Sequence, residues 1–194
     1  MSSIINIQAK LTTILDPEDE DACGYGNLYM QGASCGGCYE IKCRNDTQCC
    51  NAGNLSVTIT VTNNCSPPDD DYYLFYDAHF NMSKPAFSQI SSRRAGYVPV
   101  LYRRVPCKKQ GGIQFTLNGN RQLNLVLVSN VAGEGEVSAM SVKGRQMGWI
   151  SKKPLVGQSL SFKVTTSDGK QATTYNVVPS NWQFGQTFSG NQIY

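Results

Sequence analysis

The chain has 194 residues, with 16% charged and 40% hydrophobic residues and a formal net charge of +3. That length suits one large domain or two small ones, each with a buried core, and so small a positive charge gives no footprint for nucleic acid binding. No stretch is apolar for long enough to span a membrane, and abundant Gly, Ser, Thr and Asn between short apolar runs point to an all-β protein rich in turns.

In chain order, residues 1–22 end in the acidic run Asp16 to Asp21 and read as a disordered leader. They hold one basic residue, Lys10, and no apolar core of signal-peptide length, so the chain is expected to be a fragment or to stay outside the secretory path. Residues 23–107 carry all eight cysteines: Cys23, Cys35, Cys38, Cys43, Cys49, Cys50, Cys65 and Cys107. An even, clustered set reads as a disulfide framework. A metal site on Cys35-Gly-Gly-Cys38 and Cys49-Cys50 ranks below it because the spacing matches no common zinc module. A CxxC redox pair ranks below it because no βαβ pattern surrounds it. Four Asn-x-Ser/Thr sequons begin at Asn45, Asn54, Asn64 and Asn81 in the same half, which fits a secreted glycoprotein.

Within this half LSVTITVT alternates Leu55, Val57, Ile59 and Val61 with hydroxyl side chains, the pattern of a strand with one buried face. Ser83 before Lys84-Pro85, with Phe87 and Ile90 three apart, predicts a short capped helix. Tyr97 to Val105 predicts a strand, with Pro99 marking an edge or an irregular end. The basic pairs Arg93-Arg94, Arg103-Arg104 and Lys108-Lys109 read as a solvated face. Residues 108–112 read as a linker. Residues 113–194 form a second domain in which IQFTL, a turn at Asn118-Gly119, QLNLVLV, VSAMSV, LSFKVTT, Ser167-Asp168-Gly169 and TTYNVV describe a β-sandwich without cysteine.

Unaided residue chemistry offers little catalysis: there is no GxSxG, no HExxH and no phosphate loop. Glycoside hydrolysis needs two carboxyl groups flanking the bond. Asp69 to Asp71 read as solvated loop charge, and Asp77 reads as a turn residue before His79, the only histidine.

ACGYGNLY, SCGGCYEIKC, VTITVTNNC, HFNMSKPAF and AGYVPVLYRRVPC, followed by GGIQFTLNG, LNLVLVSNVAGEGEV, GQSLSFKVTTSDG and NWQFGQTFSG, resemble the expansin family, most of all its plant α-type. The resemblance covers nearly everything after residue 22. It implies a double-psi β-barrel followed by an immunoglobulin-like, cellulose-binding β-sandwich. It also implies non-hydrolytic loosening of plant cell walls, by disruption of non-covalent contacts between cellulose and matrix glucans. The implied protein is a secreted, extracellular wall monomer whose partners are wall polysaccharides, with no nucleic acid, cofactor, metal or catalytic residue.

The resemblance further implies a polysaccharide groove at Tyr25, Asn63, His79 and Asn81, and the bridges Cys23–Cys35, Cys38–Cys107 and Cys43 to Cys49 or Cys50. The family partner of Cys65 lies in a Trp-Cys segment that here reads DYYLFYD. Cys50 is the expected substitute partner of Cys65, and the expected set is then completed by Cys43–Cys49. Where the family has His-Phe-Asp this chain has His79-Phe80-Asn81, and an amide can hydrogen-bond a sugar hydroxyl but cannot act as general acid or base. Two family segments are absent, one near Gln31 and one after Ile150. Trp149 remains as the best aromatic for sugar contact, Gln122-Leu123 stand where the family tends to have aromatics, and Trp182 reads as core. Weaker cellulose binding is expected, because planar rings suit pyranose faces. The leading expectation is a wall-loosening protein of this type. A degenerate binding or structural protein follows, and an active glycoside hydrolase comes last.

Overall fold

The computed structural model describes residues 5–11, 21–24, 28, 34–44, 48–53, 55–64, 79–92, 96–144 and 155–194. They fall into two compact units, Met1–Pro106 and Cys107–Tyr194.

The first unit is a closed six-stranded barrel. Its strands are β1 (Ile5–Leu11), β2 (Asp21–Gly24), β3 (Cys38–Cys43), β4 (Ser56–Asn64), β5 (His79–Met82) and β6 (Tyr97–Val105), with helix α1 (Lys84–Ile90) after β5. The order around the wall is β1-β5-β2-β4-β3-β6. The β1–β5 and β2–β4 pairs are parallel and the others antiparallel, which is the double-psi arrangement. Closure leaves no sheet edge to protect.

Period-two patterning explains the interior. Val57, Ile59 and Val61 of β4, Tyr39 and Ile41 of β3, Phe80 and Met82 of β5, and Val98 and Val100 of β6 all point inward. Helix α1 adds Ala86, Phe87 and Ile90 to the same core. Ser83 caps its start, its Oγ accepting the Ala86 N–H at 3.5 Å, with Pro85 in the first turn. At the other end the Asn51 side-chain amide donates to Ser88 O at 2.9 Å and Gln89 O at 3.2 Å, filling carbonyls that a helix end leaves open.

Several expectations are corrected here. The leader is not wholly disordered, because β1 lies inside it and closes the barrel between β5 and β6. Leu55 is 49% exposed, because β4 begins after it. Strand β6 has a neighbour on both sides, so Pro99 marks an irregular end and no edge. It falls just past the last β3 pair, Cys43 with Val100, where its carbonyl still accepts from Arg44 N–H at 2.8 Å.

Cys43 bridges Cys50 rather than Cys49, with 5.6 Å between the Cα atoms, well inside the usual disulfide range. Cys50 is pinned by a bridge to Ser91, and the Cys49 carbonyl accepts from Ser91 Oγ and Ser92 N–H. Cys49 lies in a turn and Cys50 on the bridge, and it is Cys50 whose sulfur reaches β3. Cys50 is therefore taken and cannot bridge Cys65, which lies outside the described residues. Cys49 and Cys35 keep their thiols, which rules out Cys23–Cys35. The Cys35 turn docks on β4 through Gly36 N–H to Val61 O and Val61 N–H to Gly37 O, and its thiol donates to Thr62 O at 3.9 Å. Cys23, Cys38 and Cys107 each lie in a disulfide.

The second unit is a β-sandwich of two three-stranded sheets. One has the order β11-β10-β9 and the other β12-β7-β8. The strands are β7 (Gln114–Gly119), β8 (Asn124–Ser129), β9 (Val137–Gly144), β10 (Leu160–Thr166), β11 (Gln171–Val178) and β12 (Thr187–Ser189). Phe115 of β7 stacks on Phe162 of β10 at 4.3 Å between centroids, joining the two inner faces. Trp182 is in this core, its indole N–H donating to Gln158 O at 3.2 Å and its ring meeting Phe184 edge-on.

Asn118-Gly119 does not make the β7–β8 turn. Both residues still pair, with Leu125 and Asn124, and the loop is 120–123. Asn120 builds it, its N–H donating to Leu123 O while its Oδ1 accepts from Gln122 and Leu123 N–H. Gly119 is required beside it: φ is +100°, and a Cβ would run into the Leu123 carbonyl. Residues 108–112 are no free linker. Asn130 Nδ2 donates to Gln110 O and Gly112 O, Gln192 Nε2 donates to Gly111 O, and Gly112 lies against Gly190 with no room for a side chain.

Candidate functional site

Two of the four groove residues expected from the sequence meet on one row of the barrel wall. Cys23 of β2 pairs with Asn81 of β5 on one side and with Asn63 of β4 on the other. Residues in register share a face, so the two amides flank Cys23 about 10 Å apart, two strand spacings.

Asn81 faces outward because Phe80 and Met82, on either side of it, are fully buried. Phe80 is held from below by Tyr39 and Tyr102, at 5.5 and 5.3 Å between centroids, with Arg104 over the Tyr39 ring. Burial, with Tyr39 beside it, pushes the Tyr102 hydroxyl above its ordinary pKa. These packed rings hold Phe80 and so fix the orientation of β5.

Asn63 reaches the row by a different route. Strict alternation from Val57, Ile59 and Val61 would turn it inward. The β2–β4 register shifts, however: Asp21 pairs with Thr60 and Ala22 with Val61, but Cys23 pairs with Asn63. Thr62 is thus an extra residue, a β-bulge that rotates everything after it by one face. Asn63 is exposed as a result. The docked Cys35 turn holds the bulge through the Val61 and Thr62 carbonyls.

The chemistry of the row is hydrogen bonding. Asn81 Oδ1 is buried and finds no hydrogen-bond partner among the described residues, an arrangement that costs about 1–3 kcal/mol until a donor arrives. A sugar hydroxyl is such a donor. His79 shares the Asn81 face but is 6% exposed and pairs with Gln8 of β1, so it supports the row from beneath. Ser83, the sequon hydroxyl after Asn81, is buried as the helix cap. Tyr25 and Trp149 lie outside the described residues.

Glu40 is the only carboxylate among the described side chains of the barrel. It faces away from the interior on β3 and pairs with Arg103, while Ser56 Oγ donates to it at 3.0 Å. The Arg103 hydrogen bond, joined by that of Ser56 and opposed by partial burial, holds its carboxyl below the ordinary range. It registers with Thr58, about 17 Å along β4 from Asn63 at 3.3 Å per residue. Among the described residues no three His, Cys, Asp or Glu side chains gather in a way that could hold a metal ion.

Sequence reasoning missed the orphaned Asn81 acceptor, the bulge, and a row of outward leucines on β8. Only the last left a signal: LNLVLV is apolar in both phases, more than one buried face requires.

Comparison with known proteins bears on the same two units. Residues 21–102 match the lytic transglycolase family and residues 113–179 the expansin C-terminal domain. The chain is 43% identical to expansin-A22 of Arabidopsis thaliana over 202 aligned positions, covering 88% of this chain and 72% of that protein. It is 44% identical to expansin-A25 of Oryza sativa subsp. japonica over 211 positions, covering 89% and 81%. Both alignments run longer than the chain itself, so these relatives carry internal residues that this chain lacks. Among solved structures, the apo expansin of Clavibacter michiganensis superposes with a TM-score of 0.72 at 13% identity, covering 99% of this chain and 98% of that one. An Asp-to-Asn variant of the same bacterial protein, in complex with cellohexaose, gives 0.73 at 14% identity, with the same coverage.

Proposed function

The chain belongs to the expansin family, and on that premise we propose that it loosens plant cell walls without hydrolysis. It would do so from outside the cell, by gripping neutral glucan chains and displacing their non-covalent contacts. The observation that carries this reading is the Asn63–Cys23–Asn81 row. Two amides offer donors and acceptors to sugar hydroxyls, and neither can supply or remove the proton that glycosidic cleavage needs. The orphaned Asn81 oxygen gives the row a reason to take a ligand. The bacterial relative binds cellohexaose as an Asp-to-Asn variant, so such an exchange is compatible with oligosaccharide binding in that protein.

A binding protein without loosening activity is the second reading. The internal residues missing relative to the aligned expansins favour it. Constant-load creep of heat-inactivated wall strips separates the two. The expected result is creep by the wild type with no reducing sugar released, and a change in extension rate for Asn81→Asp. Creep by Asn81→Asp alone would establish the binding-only reading, and sugar release by the wild type would overturn both.

A further inference from the structure

Residues 108–112 follow the boundary between the two units, and their backbone is claimed by side chains from elsewhere. Asn130 Nδ2 donates to Gln110 O at 2.7 Å and to Gly112 O at 2.9 Å, and Gln192 Nε2 donates to Gly111 O at 3.0 Å. Three carbonyls in succession are thus fastened, where a connector that only had to span would leave them to water. Asn130 holds a φ of +57° to do this, a conformation that asparagine tolerates better than most residues.

Gln192 fills the whole hydrogen-bonding capacity of its amide. Its nitrogen also donates to Asn130 O at 2.9 Å, and Oε1 accepts from the Ala132 and Ile193 N–H groups, both at 3.0 Å. The segment that carries it is held down in turn. Gly190 N–H donates to Ile113 O, Asn191 Nδ2 donates to Thr173 O, and Asn191 N–H donates to Thr174 Oγ1, each at 2.8 Å, while Ile193 is buried. Where this segment crosses the connector neither glycine admits a side chain. A Cβ on Gly112 would strike Gly190 O, and a Cβ on Gly190 would meet Thr174 and Phe115.

We propose that residues 190–193 are a strap that fastens the connector to the sandwich, with Gln192 as its lock, and that wall loosening needs the strap closed while polysaccharide binding does not. The last clause rests on the wall-loosening reading. Displacing non-covalent contacts requires load to pass along the chain that joins the units. A glycine-bearing connector, left loose, passes load only after its slack is drawn out. Gly111 and Gly112 would supply that slack, and fastening the carbonyls from 110 to 112 removes it. Gln192 is a positioning residue that acts through the connector.

Trypsin reads the strap directly. Lys108 and Lys109 stand just before the fastened carbonyls, and a protease cuts such a segment from its opened state. All eight cysteines precede residue 108, so a cut there releases the second unit as a separate fragment. In the full chain, Gln192→Glu keeps the acceptor for Ala132 and Ile193 but loses both donated bonds. Asn130→Gly keeps the positive φ and loses the amide. Each variant should be cut after Lys108 or Lys109 about tenfold faster than wild type. Each should also drive slower creep of wall strips and deplete onto microcrystalline cellulose as wild type does. Asn191→Ala, which leaves the connector bonds in place, should be cut at the wild-type rate. Wild type cut there as fast as the first two variants overturns the strap. So does equally fast cutting of those variants throughout the second unit, which reports global unfolding. Faster cutting with undiminished creep overturns the link to loosening. Wild type that drives no creep, with the cleavage pattern intact, overturns the functional reading and leaves the strap standing.

Discussion

The two units present contrasting surfaces. The barrel hides an aromatic cluster, Tyr39, Phe80 and Tyr102, and shows amides on its wall. The sandwich hides stacked Phe115 and Phe162 and shows leucines. The two folds build these surfaces by different means. A polar row needs a bulge to aim it, while an apolar ridge needs only a strand that is apolar in both phases.

The division can be broken most strongly from the core. Phe80→Ala and Phe162→Ala should each cost about 3–5 kcal/mol, and each should lower the unfolding transition of its own unit. Both tryptophans, Trp149 and Trp182, follow residue 107, so tryptophan fluorescence during denaturation should shift for Phe162→Ala and stay unchanged for Phe80→Ala. A shared shift would mean that the two units unfold as one. Smaller is the loss of the helix cap: Ser83→Ala should cost about 1 kcal/mol, read from urea midpoints. Its effect should appear in the barrel transition alone, since α1 packs on β4 and β1.

The smallest effect is electrostatic and has a counterpart in each unit. Arg103 holds the Glu40 carboxyl low in the barrel. In the sandwich the Thr166 hydroxyl, bonded at 2.6 Å, holds Asp168 low, with Lys170 adding to it. A carboxyl lowered in the folded state stabilises it above the ordinary carboxylate range, and that contribution is lost as pH falls through the lowered value. Glu40→Gln and Asp168→Asn should therefore destabilise slightly at pH 7 and flatten the loss of stability on acidification. Urea melts at pH 7 and pH 3 compare the slopes. Both groups are solvent-accessible, so 1 M salt should shrink the difference.

Wherever one residue's neighbours decide its fate, the sequence was legible. The alternation of Val57, Ile59 and Val61 in β4, the strand runs of β10 and β11, the Ser83–Pro85 helix start and the span of β6 are local patterns, and the structure keeps them. Features that needed a distant partner were not. Ile5, Ile7, Ala9 and Leu11 alternate with Asn6, Gln8 and Lys10, yet a lone alternating stretch beside an acidic run gains meaning only from β5 and β6, which it joins. The choice between Cys49 and Cys50 turns on where Ser91 pins the backbone. The resemblance pointed to Asn63 and Asn81 together, but alternation alone would place Asn63 on the inner face, and only the bulge turns it outward beside Asn81.

That last point gives Thr62 an unusual kind of freedom. Its side chain is exposed, and the bonds it takes part in run through its backbone carbonyl. The bulge takes up position 62, so many residue types would serve there equally. Removing it would set Asn63 directly after the inward Val61, in plain alternation, and Asn63 would still face outward beside Cys23. At Asn81 the identity of the residue matters, while at position 62 neither the identity nor the presence of a residue decides which way Asn63 faces.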